Sequence, residues 1–386
     1  MKRVPDRLLR WIPDFAVMVV ACLAQAAVAA MMLRQRSGAI RRSAIKRALL
    51  ISWMVMVFAF ALRAEPISAL FYGNWSAWLR ALVSAWTLLS ICWAVAYAIA
   101  RCLPRSGFSA ARRGFLGTMR GALFAAPAAA LAYGIVVQRR SISLREHKIS
   151  VDGLPKDLDG LRLVQITDIH MSPFFSRQEL DYAVAMANET RAHVALVTGD
   201  LITSYRDPLD SCLDGLKALR ADAGVFGCMG NHERYTRAEE YVEQAGARQG
   251  LRFLRGHSAA LRFGVANLSL AGVDYQPFRT PYLVGAEKLV VPGAYNIMLS
   301  HNPDVFDVAA LQGYDLTISG HTHGGQVRVE ILGADLNIAR FFTPYVDGFY
   351  RRGKASIFVS RGLGTIAIPA RLGAPPEVTL LRLCRA

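Results

Sequence analysis

The chain has 386 residues, enough for two domains of ordinary size, and a formal net charge of +16. The basic excess lies wholly in residues 1–150, which hold 21 Lys and Arg against 4 Asp and Glu, whereas residues 151–386 hold 24 against 25. A nucleic-acid-binding domain carries basic charge on its own surface, so the near-neutral C-terminal part argues against DNA or RNA as a partner. The six cysteines show no CxxC spacing, which argues against a disulfide framework or a zinc knuckle.

Four apolar stretches occupy the first 140 residues. Each is near the roughly 20 residues that a helix needs to cross a bilayer, and they largely lack the polar face of a soluble helix. They are Trp11–Leu33, Ala48–Phe71, Trp78–Ile99 and Gly121–Val137, of which the fourth is the shortest and contains Pro127. The sequence therefore predicts a membrane domain over residues 1–140 with about four transmembrane helices.

The orientation of this domain depends on a pair of arginines before the fourth stretch. Ala111-Arg112-Arg113-Gly114-Phe115-Leu116 resembles a twin-arginine export signal, and the alternative is ordinary positive charge beside a membrane helix. Both interpretations place the pair in the cytoplasm and carry the residues after Val137 across the membrane. We expect a protein of the bacterial inner membrane with its C-terminal domain on the extracytoplasmic side. Ala130-Leu131-Ala132 offers a cleavage site, which we expect to stay uncut.

From Ser150 onward, short β-rich runs alternate with stretches compatible with helices. Continuous apolar strands separated by helices indicate a mixed sheet covered on both faces. The predicted strands are Leu161–Thr167, Val194–Thr198, Val225–Met229, Asn296–Ser300 and Leu316–Ser319, and the predicted helices include Arg177–Thr190 and Arg237–Gln249. Arg139–Ser150 is predicted to be a short polar linker.

Residues suited to metal binding follow each of the five predicted strands. The blocks are Asp168-Ile169-His170, Gly199-Asp200, Gly230-Asn231-His232-Glu233, His301-Asn302-Pro303 and Gly320-His321-Thr322-His323. Ligands of open α/β sheets gather at the carboxyl ends of strands, so these blocks are expected to converge. Asp and His ligands without Cys suit Zn, Mn or Fe, and a carboxylate can bridge two ions. Gly199, Gly230 and Gly320 allow the backbone to approach the site closely.

This ordered set of blocks resembles the calcineurin-like metallophosphoesterase family over roughly residues 161–325. The resemblance implies a four-layer α/β/β/α sandwich in residues 150–386. It also implies two divalent metal ions, of the Mn, Zn or Fe class. One ion would be bound by Asp168, His170 and His323 and the other by Asn231, His301 and His321, with Asp200 bridging them. His232 would then be catalytic, protonating the leaving oxygen or stabilising charge on the phosphoryl group.

Some residues around the predicted site have two interpretations. Glu233 either orients His232 or binds nearby backbone groups at a helix N-terminus. Thr203 stands where some family members have an Asp that supports the catalytic histidine, so the partner of His232 stays unidentified. Arg361 or Arg371 either clamps a phosphate or has a structural role.

The resemblance and the apolar stretches together predict a membrane-anchored, metal-dependent phosphoesterase. Phosphodiester or pyrophosphate bonds fit better than phosphoproteins, because the Asp-Arg pair of the protein-phosphatase branch is missing. A lipid-linked or envelope phosphate is the substrate class that membrane anchoring favours, and no nucleic acid is expected. The alternatives are a non-catalytic membrane sensor or scaffold that keeps the fold, and a nuclease of the same family, which the neutral domain disfavours.

Overall fold

A computed structural model describes residues 11–33, 39–61, 73–102, 110–277, 282–331 and 334–386 of the chain. Its contacts divide the chain into two compact units, Met1–Tyr133 and Gly134–Ala386. The last part of the second predicted apolar stretch, residues 62–71, lies outside the described residues.

The N-terminal unit is built from long apolar helices. They are α1 (Trp11–Leu33), α2 (Ala39–Ala61), α3 (Asn74–Cys102) and α4 (Ala110–Val136), which continues into the second unit. Three spans are long and apolar enough to cross a membrane, namely Arg42–Ala61, Asn74–Arg101 and Gly114–Arg140. The described part of α1 contains only a shorter apolar segment, Met18–Ala30. Of the roughly four transmembrane helices predicted, three are therefore long and apolar enough to cross a membrane in the described residues.

Buried hydrogen bonds connect three of these helices. The Gln25 side chain of α1 donates to Ser90 Oγ of α3 over 2.9 Å and accepts from Ser52 Oγ of α2 over 2.9 Å. In hydrocarbon a polar side chain has no water to bind, so partners on neighbouring helices satisfy it and hold the helices together. Such a network fits a packed membrane bundle.

The C-terminal unit contains two six-stranded sheets. The first has the order β1-β14-β2-β3-β4-β5, and the second has the order β12-β13-β9-β8-β7-β6. The strands of the first sheet are β1 (Ser143–Val151), β2 (Arg162–Ile166), β3 (Val194–Val197), β4 (Val225–Gly227), β5 (Leu251–Phe253) and β14 (Glu377–Arg385). Those of the second are β6 (His257–Phe263), β7 (Ala266–Gly272), β8 (Tyr295–Leu299), β9 (Leu316–Ser319), β12 (Gly348–Arg352) and β13 (Ala355–Val359). A separate hairpin pairs β10 (Arg328–Ile331) with β11 (Ala334–Asn337).

Helices cover the outer faces of both sheets. The helices of this unit are α5 (Arg177–Glu189), α6 (Leu209–Leu216), α7 (Asn231–Thr236), α8 (Glu239–Arg248) and α9 (Phe306–Gln312). Leu196 of β3 and Ile297 of β8 share one buried cluster between the sheets. Leu180 of α5 packs in a second cluster on the first sheet, and Ala309 of α9 in a third on the second sheet. The order helix, sheet, sheet, helix is the predicted four-layer sandwich.

Part of the predicted linker belongs to the first sheet. Residues Ser143–Val151 form β1, which pairs in parallel with β14 along its whole length. The polar sequence is misleading because β1 is an edge strand with many exposed side chains, and only Ile149 and Val151 are buried. Edge strands often carry charged side chains, so this stretch lacks the apolar run that marks the central strands.

Candidate metal centre

The predicted ligands lie at the carboxyl ends of parallel strands. Strands β2, β3 and β4 run parallel in the first sheet, and β8 and β9 run parallel in the second. Among the described residues, three overlapping groups of three side chains could each hold a metal ion. Within each group, the ligand atoms lie within 4.8 Å of one another. They are Asp168, His170 and His323; His170, Asp200 and His232; and Asp200, His301 and His321.

The first group corresponds to the ligand set predicted for one ion. His323 Nε2 lies 3.5 Å from Asp168 Oδ1, and all three side chains of the group are buried. Asp168 is fixed by the backbone N–H of His321, which donates to both carboxylate oxygens over 3.0 and 3.1 Å. The Thr167 hydroxyl also donates to Asp168 Oδ2 over 2.9 Å.

The third group contains His301 and His321, two of the ligands predicted for the other ion, together with the predicted bridge Asp200. His301 Nε2 lies 3.0 Å from Asp200 Oδ2. His301 Nδ1 lies 2.7 Å from the carbonyl oxygen of Thr198, which only accepts, so Nδ1 donates to it and Nε2 is the nitrogen that faces Asp200. Asn231 stands at the start of α7 with its side-chain Oδ1 buried and without a hydrogen-bond partner.

Asp200 lies between the first and the third group. Its Oδ1 accepts from the backbone N–H of His232 over 2.9 Å, whereas its Oδ2 is buried and has no hydrogen-bond partner. That free oxygen lies 3.4 Å from His170 Nε2 in one group and 3.0 Å from His301 Nε2 in the other. A carboxylate oxygen in this place is positioned to be shared.

The donor atoms fit divalent cations. Buried polar atoms normally have partners, yet five of the predicted ligands each present one that lacks a hydrogen bond. These atoms are His170 Nε2, Asp200 Oδ2, Asn231 Oδ1, His301 Nε2 and His323 Nε2. Two ligands about 2.1 Å from one ion are separated by about 3.0–3.4 Å. The separations of 3.0, 3.4 and 3.5 Å are close to that range.

Burial and neighbouring charges shift the pKa values of these groups strongly. Burial raises the pKa of Asp168, whereas the neighbouring His301 and His232 hold the pKa of Asp200 well below its usual range despite its burial. Burial lowers the pKa of His321 to about 3. Burial also opposes the charged form of His301, but Asp200 and Asp168 outweigh it and raise its pKa to about 10.

Left-handed backbone conformations are concentrated at the predicted ligands. Ten non-glycine residues of the described chain have positive φ, and five of them are Asp168, His170, Asp200, His321 and His323. L-residues rarely adopt this conformation, and such strain tends to occur at functional sites. The backbone is therefore shaped to aim these side chains.

Close packing explains two of the glycines in the motifs. A Cβ at Gly230 would lie 2.1 Å from Asp200 Oδ1, and a Cβ at Gly320 would lie 2.2 Å from Asp168 Oδ2. These approaches are too short for any side chain. The predicted role of Gly230 and Gly320 in close approach to the site therefore agrees with the structure.

Glu233 binds backbone groups. It is fully buried, and its carboxylate accepts from the backbone N–H groups of Asp200, Leu201 and Gly230 over 2.8–2.9 Å. These three bonds tie the start of α7 to the loop after β3. Of the two predicted interpretations, the structure favours the backbone one.

His232 has a partner that its neighbours in sequence do not suggest. Its Nδ1 lies 2.6 Å from the carbonyl oxygen of Thr203, so Nδ1 donates and Nε2 is left free. Burial lowers the pKa of His232 to about 4, and Asp200 acts in the opposite direction. The Thr203 hydroxyl lies 3.2 Å from His170 Nδ1, so one residue supports both histidines.

The two arginines considered for phosphate binding are engaged elsewhere. Arg371 is fully buried and donates to the carbonyl oxygens of Gly364, His323 and Arg361 over 3.0 Å each. Arg361 pairs with Asp347 over 2.7 Å. Arg371 therefore has a structural role and positions the segment that carries His323.

Further residues of the site carry no motif in the sequence. The ring of Tyr275, in the loop after β7, lies 5.7 Å from that of His321 and 6.4 Å from that of His301. Tyr235 in turn lies 5.5 Å from His232. Gly364 N donates to the Asp168 carbonyl over 2.6 Å and so fixes the loop after β2. An isolated tyrosine or glycine gives no signal that would identify it in advance.

Residues 161–325 match the calcineurin-like phosphoesterase family. The matched residues lie within the C-terminal unit, which therefore carries a calcineurin-like phosphoesterase domain. It is 29% identical to the metallophosphoesterase YkuE of Bacillus subtilis over 70% of this chain and 97% of that protein. It is 28% identical to phosphodiesterase YaeI of Escherichia coli over 58% of this chain and 82% of that one. These likenesses identify the C-terminal unit as a metallophosphoesterase, a hydrolase of phosphoric ester bonds.

The name of a third relative describes it as a transmembrane protein. A transmembrane protein with metallophosphoesterase domain from Danio rerio is 31% identical over 66% of this chain, which spans only 60% of that protein. Together with the three apolar spans, this likeness indicates that the chain is a membrane protein.

Proposed function

We propose that the C-terminal unit hydrolyses phosphodiester or pyrophosphate bonds with two divalent metal ions of the Mn, Zn or Fe class. The observation that carries the proposal is the position of Asp200 Oδ2, buried and unpartnered between His170 and His301. An unpaired buried carboxylate oxygen is costly, and two cations on either side would satisfy it.

Each predicted ligand has a role in this proposal. Asp168, His170 and His323 would hold one ion, Asn231, His301 and His321 the other, and Asp200 would bridge them. When bound, the two ions supply Lewis acidity at phosphorus and lower the pKa of water to near neutrality.

His232 is proposed to move a proton. Its Nδ1–H is held by the Thr203 carbonyl, so its Nε2 is the atom available to the leaving oxygen. An anionic phosphate beside His232 would raise its pKa, as Asp200 already does, and would favour the protonated form that an acid requires.

The membrane spans favour a substrate in or beside a bilayer. A lipid-linked or envelope phosphoester on the extracytoplasmic side of a bacterial inner membrane fits a chain that is held at the bilayer. Tyr275 and Tyr235 offer apolar ring faces next to the ligands, on which the non-phosphate part of a substrate can pack.

The experiment is an assay of the purified full chain in detergent. Bis(4-nitrophenyl) phosphate and 4-nitrophenyl phosphate are compared with added Mn²⁺ and after chelation. We expect hydrolysis that depends on the metal and favours the diester. No hydrolysis of either ester by a folded, metal-loaded chain would contradict the proposal and would favour a sensor or scaffold.

A further inference from the structure

An exposed apolar segment lies beside the candidate metal centre and is not used by the proposed chemistry. It consists of the last residues of β11 and the turn that follows. We call its four large apolar side chains the apolar tip. These are Leu336, Ile338, Phe341 and Phe342, which are 58%, 61%, 87% and 73% exposed. None of the residues of the turn Ile338–Phe341 is buried.

The apolar tip differs from other exposed apolar residues of this unit. Val265, Val284 and Leu311 are also about four-fifths exposed, but each stands singly, which is usual for a protein surface. The four tip residues fall within seven positions of sequence. Val329 lies opposite Leu336 across the hairpin and is 41% exposed, which extends the patch. Exposed apolar patches of this kind mark interaction surfaces.

Both ends of the segment are attached to loops that carry predicted ligands. At its start, the Asn337 side chain donates to the carbonyl oxygen of Gly324 over 3.1 Å, next to His323. At its end, the Thr343 hydroxyl donates to Asp304 over 2.5 Å, three residues after His301. The apolar tip is therefore held at the rim of the metal centre.

The chemistry of the tip suits a bilayer better than a protein surface. A stable protein interface uses roughly 20–30 residues on each side, whereas the tip has four large apolar side chains within seven residues of sequence. Insertion between lipids needs no complementary surface, and aromatic and aliphatic side chains favour the boundary between headgroups and acyl chains. Asp335 pairs with Arg340 over 3.1 Å, which neutralises one of the two carboxylates of the hairpin, the other being Glu330 on the opposite strand. The chain's own apolar spans keep a bilayer within reach.

We propose that the apolar tip inserts into the interface of the membrane that anchors the chain and brings the metal centre to phosphates at headgroup level. The proposed insertion is inferred from the exposed apolar side chains alone and does not depend on the proposed function. Its consequence for substrate choice rests on the proposed function, because it assumes that the centre hydrolyses phosphoesters.

The insertion is tested by photolabelling of the full chain. The protein is reconstituted in nanodiscs of phosphatidylcholine and phosphatidylglycerol with an apolar diazirine that partitions into the bilayer, and labelled peptides are identified by mass spectrometry. We expect label in the peptide of residues 336–342 and in helices α2–α4, which serve as an internal standard. An unlabelled tip beside labelled helices would overturn the proposal. A wild-type dimer that becomes a monomer when Phe341 and Phe342 are replaced by Ser would also overturn it, because a second copy of the chain would then cover the tip.

The matched variants are Phe341→Ser/Phe342→Ser and the control Leu311→Ser, which removes a similarly exposed side chain elsewhere. The double variant should lose most of the tip label, and the control should keep it.

Two substrates with the same leaving group, hexadecyl and ethyl 4-nitrophenyl phosphate, distinguish an effect on binding of a membrane-bound substrate from an effect on the hydrolysis step. The double variant should lose about tenfold in kcat/KM on the hexadecyl ester in nanodiscs and stay within twofold on the ethyl ester. Equal losses on both esters would overturn the proposed link to substrate. If wild-type protein hydrolysed neither ester, the proposed function would fail, while the labelling result would still decide the insertion.

Discussion

Asp200 is the residue on which both halves of the proposed centre depend. Replacing it by Asn keeps the size of the side chain but removes the charge that two cations would share. Loss of a residue that only supports a ligand costs about 10–100-fold in metal affinity or activity, so the bridge itself should cost more than about 100-fold. We expect Asp200→Asn to lose activity and both metals together, measured by turnover and elemental analysis.

The control for this variant is Asn231→Ala, which removes a proposed ligand of one ion only. It should keep the ion bound by Asp168, His170 and His323. An Asp200→Asn protein with two bound metals and near-normal turnover would show that the bridge is assigned wrongly.

His232 is proposed to act on the leaving group and not on the metals. His232→Ala should therefore keep its metal content and lose about 10²–10⁴-fold in rate, the usual range for an acid–base group. The loss should shrink for nitrophenyl esters, whose leaving group hardly needs protonation, and be full for alkyl esters. The measurement is kcat for a series of esters with leaving groups of rising pKa. A loss of the same size across the series would rule out proton donation by His232.

The partner of His232 shows what residue patterns cannot predict. The ligands were identifiable because Asp, Asn and His follow buried strands in an ordered set of blocks. The support for His232 comes from the backbone carbonyl of Thr203, and every residue type has a carbonyl. Arg371 was equally hard to place, since a basic residue is usually exposed and here it satisfies buried carbonyl groups.

At the scale of elements, the loops after the strands are packed so tightly that a methyl group is excluded. Gly320 follows β9 at the Asp168 carboxylate, and Gly320→Ala would place a Cβ 2.2 Å from Asp168 Oδ2. Overpacking of this kind costs about 1–3 kcal/mol and displaces the neighbouring group. We expect a lower melting temperature and reduced metal content, measured by thermal denaturation and elemental analysis.

Gly117→Ala in α4 is the control, because nothing lies within 4 Å of its added Cβ. It should leave metal content unchanged. If Gly320→Ala behaved like Gly117→Ala, the close packing of the β9 loop against Asp168 would not matter for the centre.

The elements themselves were predictable to different degrees. The central strands β2, β3, β8 and β9 are short apolar runs, and the sequence located each to within about a residue. Strand β1 was predicted as a linker because an exposed edge strand has no apolar run. The hairpin β10–β11 was not predicted. It lies outside both main sheets, so it is not part of the alternation of strands and helices from which the other strands were predicted.

At the scale of the whole molecule, the side of the membrane on which the centre lies stays a prediction. Arg112 and Arg113 fall within α4, ahead of its most apolar part, and a basic pair there favours a cytoplasmic start. Fusions after the exposed C-terminal Ala386 keep the whole chain intact. We expect a β-lactamase fusion to confer resistance, and a green fluorescent protein fusion reports whether a folded fusion protein accumulates in the cytoplasm. Fluorescence without resistance would place the centre in the cytoplasm.

The number of metal ions per chain tests the central claim most directly. The full chain is stripped with a chelator, reloaded with Mn²⁺, freed of excess ion and analysed for metal per polypeptide, with hydrolysis of bis(4-nitrophenyl) phosphate followed in parallel. The two proposed ligand sets that share Asp200 predict two ions per chain and activity that appears only as the second ion binds. Full activity with one ion, or with none, would contradict the account.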